Sequence, residues 1–210
     1  LPWQSAAIDH YKADIFLIVS SHDGLVYVER PWVTAMIDLC TGVVLALTLS
    51  FKDPSRISCA KVLRECVRRH QKLPREIIVD RGSDFRSVYF AALLAHYGVT
   101  LSLRPSAHSR YGGEVESLFG EFKKVWLSQR PGNLADYKEA RSVDGSHAPK
   151  NSAILRAFDL YDELNRFCDW RSSRPLNIHV ESGIDLFNRR RKEFPCVAVS
   201  VELDGEFLLS

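Results

Sequence analysis

Apolar positions along this chain recur with two periods, one near two residues and one near 3.6, and the segments alternate between them. Residues 5–19, SAAIDHYKADIFLIV, are rich in β-branched and aromatic side chains and predict a first strand carrying Asp9. Residues 20–24, SSHDG, are turn material. Residues 32–39, WVTAMIDL, and 43–51, VVLALTLSF, predict two further strands, and the short Cys40-Thr41-Gly42 link predicts a hairpin. Asp53-Pro54-Ser55 then supplies a helix start, with an Asp or Ser cap and Pro in the first turn. In the predicted helix 55–71, Ile57, Ala60, Leu63 and Val67 form the apolar stripe, and Arg56, Lys61, Arg64, Arg68 and Arg69 the opposite face. Pro74 is expected to end that helix.

Residues 76–79, EIIV, predict a short buried strand with Asp80 at its carboxyl end. Arg81-Gly82-Ser83 predicts a tight turn into a helix over about 84–97, and 99–103, VTLSL, a fifth strand. A loop over 104–113 carries Arg104, His108 and Arg110. Beyond it Val115, Leu118, Phe119, Phe122 and Trp126 mark one face of a helix over 114–127. Glu116 and Lys123, seven residues apart, point the same way on that helix. Residues 128–150 read as a polar loop. A helix over 152–170 is expected to bury Ile154, Phe158, Tyr161, Leu164 and Cys168. Residues 171–196 read as irregular and basic, with Arg189–Lys192 the most concentrated run, and 197–209 as strands. This order predicts an α/β fold: a mixed five-stranded sheet flanked by helices. One domain over 1–175 and, over 176–210, a linker and the beginning of a small C-terminal β module are expected.

Composition narrows the classes. With 210 residues, 46% of them hydrophobic, the chain can bury one sizeable core. No run of 18 uninterrupted apolar residues predicts a membrane span. The five cysteines are odd in number and contain no CxxC pair. That pattern argues against a disulfide framework or a zinc site and suits a reducing cytoplasm. The net charge of +2 is too mild to argue nucleic-acid binding by itself. The chain starts at Leu1, shows no signal-peptide layout, and is read as a piece of a longer protein.

Three carboxylates stand out by position: Asp9 in the first strand, Asp80 at the end of the fourth, and Glu116 on the helix after the loop. Residues 81–115, thirty-five in all, separate the last two. That spacing resembles the Asp-Asp-35-Glu signature of the retroviral integrase and transposase superfamily. The flanks agree. IDHYKADI resembles the first-Asp motif of Mu-like and Tn7-like large transposases, and IDLCTGVVL their hairpin. VDRGSDF resembles their VDNGxEF, and RYGGEVESLFGEFK their YGGxIExLxGxxK. The resemblance covers about residues 5–192.

It implies an RNase H-like core over 1–175 and a C-terminal β-barrel-type module after it. It implies a metal-binding triad of Asp9, Asp80 and Glu116, holding two Mg²⁺ or Mn²⁺ ions for DNA cleavage and 3′-OH strand transfer. It also implies DNA contact by Lys123, and as partners transposon-end and target DNA, an oligomer assembled on that DNA and an ATP-dependent regulator. Arg104, His108 and Arg110 are expected to contact DNA from the loop. Arg81 stands where the family has Asn, and an extra cation there would either repel a metal or grip a phosphate. Glu114 lies about 200° from Glu116 on the helix, so only one of them can face the site; the spacing selects Glu116. Asp38 is read as a hairpin residue. Two alternatives stay open. An RNase H-like nuclease would cut without joining. A non-catalytic DNA-binding relative would do neither.

Overall fold

The computed structural model describes residues 1–80, 87–104, 113–134, 149–177 and 180–202. Its centre is a five-stranded sheet. β1 (Ser5–Lys12) lies in the middle, with β4 (Trp32–Asp38) and β5 (Val44–Ser50) beyond it on one side. On the other side are β7 (Glu76–Val79) and β8 (Thr100–Leu103). β1, β4 and β5 pair antiparallel, whereas β1–β7 and β7–β8 pair parallel. This is the expected mixed sheet.

Alternating side chains on β1 feed two separate cores. Ala6 and Ile8 pack with Val62, Leu63 and Val67 of α1 (Arg56–His70) and with Phe90 and Leu94 of α2 (Val88–His96). Ala7 packs on the other face with Val115, Leu118 and Phe122 of α3 (Gly113–Val125) and with Leu160, Leu164 and Phe167 of α4 (Ala157–Ser173). The result is a helix–sheet–helix sandwich.

Several boundaries differ from expectation. The first strand stops at Lys12; Ala13 turns away, its N–H donating to Pro31 O at 2.9 Å. Leu17–Ser20 (β2) then pairs with Val26–Glu29 (β3) in a separate hairpin that the pattern did not reveal. α1 is capped by Ser55, whose hydroxyl accepts from Ile57 N–H at 3.2 Å, and Pro54 stays outside the helix. The helix ends before Pro74: Gln71 adopts a left-handed conformation (φ 52°) and closes the last turn. The buried stripe of α1 runs through Cys59, Val62, Leu63, Cys66 and Val67, leaving Ile57 59% exposed. The stripe of α4 is likewise rotated, and Phe158 and Ile154 lie in solvent.

Residues 171–196 are more ordered than expected. Pro175–Asn177 (β9) pairs with Val180–Ser182 (β10), and Gly183–Glu193 forms α5, which carries the basic run Arg189–Lys192. Val199–Ser200 (β11) pairs with Lys72–Leu73 (β6), and Val201 reaches the core beside Trp3. All five cysteines are free thiols. Among the described residues no helix is long and apolar enough to cross a membrane.

Candidate functional site

Strand register brings the candidate groups together. Ala7 of β1 is level with Ile78 of β7, so Asp9, two residues on, is level with Asp80. Val79 of β7 is level with Leu103 of β8, which sets Arg104 beside Asp80, and the Arg104 N–H donates to Val79 O at 2.7 Å. Three adjacent strands therefore deliver Asp9, Asp80 and Arg104 in one row, at neighbour spacings of about 4.8 Å in the sheet. Asp9 shares the sheet face of Ala7, the face that α3 covers. Tyr11, next along that face, stacks on Phe119 of α3 with ring centroids 4.9 Å apart. This contact holds α3, the helix that carries Glu116, against the same face of β1.

Electrostatics reports the same convergence. The Asp9 carboxyl is raised above its ordinary value, chiefly by burial, and the negative charges of Asp80 and Glu116 push it the same way. The His10 N–H, which donates to Asp9 Oδ1 at 2.7 Å, and the Arg104 guanidinium pull it back. Arg104 Nη2 stands 4.0 Å from Asp9 Oδ2. The donor set is all carboxylate oxygen, which suits a hard divalent cation. The three groups are not drawn to one point, however. Among the described residues no three His, Cys, Asp or Glu side chains are gathered closely enough to hold a metal ion.

The other expected residues divide. Glu114 faces away from Asp9: Arg171 Nη2 lies 3.9 Å from it and donates through Nε to Glu121 at 3.1 Å. Glu116 and not Glu114 is thus on the side of Asp9. Lys123 does not stand free for DNA; its ammonium is paired with Asp14, which also receives Arg30 Nη2 at 2.7 Å. Neither Asp14 nor Arg30 was picked out in the sequence, and the signal for them was slight: an Asp just past the strand that carries Asp9. The Tyr11 phenol beside them is pushed up to about 12, by burial first and then by the Asp14 charge, so it stays protonated. Arg81, His108 and Arg110 lie outside the described residues.

Asp38 is a hairpin residue, as read. Its Oδ1 accepts from Cys40 N–H, Thr41 N–H and the Thr41 hydroxyl at 2.8–3.1 Å, and its Oδ2 from Trp3 N–H at 2.7 Å. On the basic face of α1, Arg68 and Arg69 are engaged: both clasp Glu65, and Arg69 also reaches Tyr161 and Asn165 of α4.

Comparison with known proteins places the chain in sequence and fold. The family described as the TnsB C-terminal domain matches residues 7–73. The transposase for transposon Tn552 of Staphylococcus aureus is 24% identical over 139 residues, 63% of this chain. The chain spans 28% of the length of that relative. The catalytic core domain of BIV integrase superposes with a TM-score of 0.56 at 10% identity, over 90% of this chain and 97% of that one. A chain of the simian T-cell lymphotropic virus intasome, solved with the PP2A regulatory subunit B56 gamma, gives 0.57 at 14% identity, over 98% of this chain and 59% of that one.

Proposed function

Starting from a chain related in sequence to transposases and built on the fold of retroviral integrase catalytic cores, we propose that it is the catalytic core of a DNA transposase. The proposed chemistry is divalent-metal-dependent DNA cleavage followed by joining of the freed 3′-OH to target DNA. The observation that supports this reading is the strand register that sets Asp9 of β1 level with Asp80 just past β7, with Glu116 near enough that both negative charges push the Asp9 carboxyl upward. Carboxylates at the carboxyl ends of parallel strands are well placed for a ligand.

Asp9, Asp80 and Glu116 would hold Mg²⁺ or Mn²⁺, two ions in the fully loaded site, supplying activation of the attacking oxygen and stabilisation of the leaving one. The chain's own groups do the rest. The Tyr11–Phe119 stack and the apolar face of α3 hold the helix that carries Glu116 against the face of β1 that carries Asp9. The His10 N–H holds one Asp9 oxygen fixed. Arg104 offers N–H donors to a phosphate at the same edge, and His108 and Arg110 follow it in the sequence. Lys123 reaches DNA only by leaving Asp14. In this chemistry the nucleophile is water and then the DNA 3′-OH, and no protein–DNA covalent intermediate is needed.

The test is cleavage and joining by the full-length protein on its own transposon ends. Asp9→Asn, Asp80→Asn and Glu116→Gln should each reduce both steps to background while leaving DNA binding in place. Glu114→Gln should retain most of the activity, because its partner is Arg171. Joining retained in any one of the three variants removes that residue from the triad. Cutting without joining by the wild type would make the protein a nuclease instead.

A further inference from the structure

Arginines in this chain ordinarily finish their bonds. Arg30, Arg69 and Arg130 each reach a carboxylate at 2.6–2.9 Å. Arg104 does not. Its side chain is only 16% exposed, yet Nε and Nη2 are shielded from solvent and have no hydrogen-bond partner among the described residues. The 4.0 Å separation from Asp9 Oδ2 is a charge contact, too long for a hydrogen bond. The backbone cannot be the cause of a loose fit, because the Arg104 N–H is locked onto Val79 O at 2.7 Å. Leaving guanidinium donors buried and unbonded is costly. What offsets that cost is attraction to the Asp9 carboxylate, with Asp80 next to it in the row.

We propose that Arg104 is the resident cation of the carboxylate centre, and that an incoming divalent ion competes with it for Asp9. The proposal rests on the divalent-metal reading given above and adds a residue-level consequence. Without metal, the guanidinium screens Asp9 from Asp80 and Glu116 and keeps the strand ends together. When a dication takes the carboxylates, the guanidinium is repelled from Asp9. Its unmade donors are then available to the phosphodiester at the same edge. Arg104 is thus a positioning residue in the empty site and a phosphate contact in the loaded one. The arrangement makes metal affinity low until a phosphate is present to receive the arginine.

The experiment is Mn²⁺ titration of the 210-residue chain by calorimetry, with thermal unfolding in EDTA beside it. Arg104→Gln should bind Mn²⁺ about tenfold more tightly than wild type, and Arg104→Lys, which keeps the charge, within about twofold of wild type. In EDTA, Arg104→Gln should lower the melting temperature, and this loss should shrink in an Asp9→Asn background. Mn²⁺ binding by Arg104→Gln that is equal to or weaker than wild type overturns the competition. If no form binds Mn²⁺, the metal reading of the site falls; the EDTA cycle then decides on the resident cation alone, and additive effects of the two substitutions overturn it. A measurement on the unaltered chain guards against a variant that does not fold. The Arg104 Nε–H resonance should move when Mg²⁺ is added, and a resonance that stays put overturns the proposal.

Discussion

At the residue scale, three acids with similar surroundings in the sequence have different work. Asp38 is a complete acceptor for four donors of the β4–β5 turn and the N-terminal segment. Asp38→Ala should cost about 3 kcal/mol in urea unfolding, because buried N–H groups lose a charged acceptor. Glu65 is held at about 2. Burial pushes it upward, but bonds from Arg68, Arg69 and Tyr161 outweigh that push. A depressed carboxylate stabilises the fold above its unfolded value of 4.5 and loses that contribution as pH falls toward 2. Glu65→Gln should therefore cost about 1–2 kcal/mol at pH 7, discounted for solvent screening. The difference between variant and wild type should fade as the pH of the unfolding series is lowered through that window. Burial works against the ionised form of Asp38 too; Asp9 differs in that the like charges of Asp80 and Glu116 add to the same push.

At the element scale, α3 is the part that ties fold to site. Its apolar stripe was legible because Val115, Leu118, Phe119 and Phe122 keep helical spacing without interruption, and all four are buried. Phe122→Ala should cost about 3–5 kcal/mol, since its ring is fully buried against Phe167 at 5.1 Å. If Glu116 acts in the site, Phe119→Ala should show a different profile, losing catalytic rate out of proportion to stability, because it removes the stack that holds Glu116's helix against β1; kinetics and unfolding measured on one preparation separate the two effects. Elsewhere the helix pattern misled. In α1 the buried positions include Ser58, which hydropathy does not mark, and Cys59 and Cys66, which the stripe read through Ile57, Ala60, Leu63 and Val67 left out, so Ile57 looked like core and is exposed. In α4 Phe158 had the spacing of a core residue but lies on the solvent side of the stripe. The β2–β3 hairpin was missed because its second strand, VYVE, is mostly exposed and short.

At the scale of the whole molecule, the sheet order explains why the site could be read from so few residues. Asp9 and Asp80 are 71 positions apart in sequence but level in the sheet, because the chain passes through two antiparallel strands and α1 before β7 returns parallel to β1. Strand ends and the 35-residue spacing were visible in the sequence. The ion pairs that occupy the neighbouring cations were not, since Lys123 with Asp14 and Arg171 with Glu114 join residues far apart in the chain. Releasing Lys123 by Asp14→Asn should strengthen binding to duplex DNA a few-fold at low salt and steepen its salt dependence by about one phosphate contact. Unchanged binding would mean that Lys123 serves the fold alone.

The central claim is that Asp9, Asp80 and Glu116 form one metal centre, and crystals soaked in Mn²⁺ test it most directly. The account predicts anomalous density between the Asp9 and Asp80 carboxylates, with Glu116 drawn toward it and the Arg104 guanidinium displaced from Asp9. Anomalous density elsewhere, or none at this edge of the sheet with the three carboxylates unmoved, would contradict it.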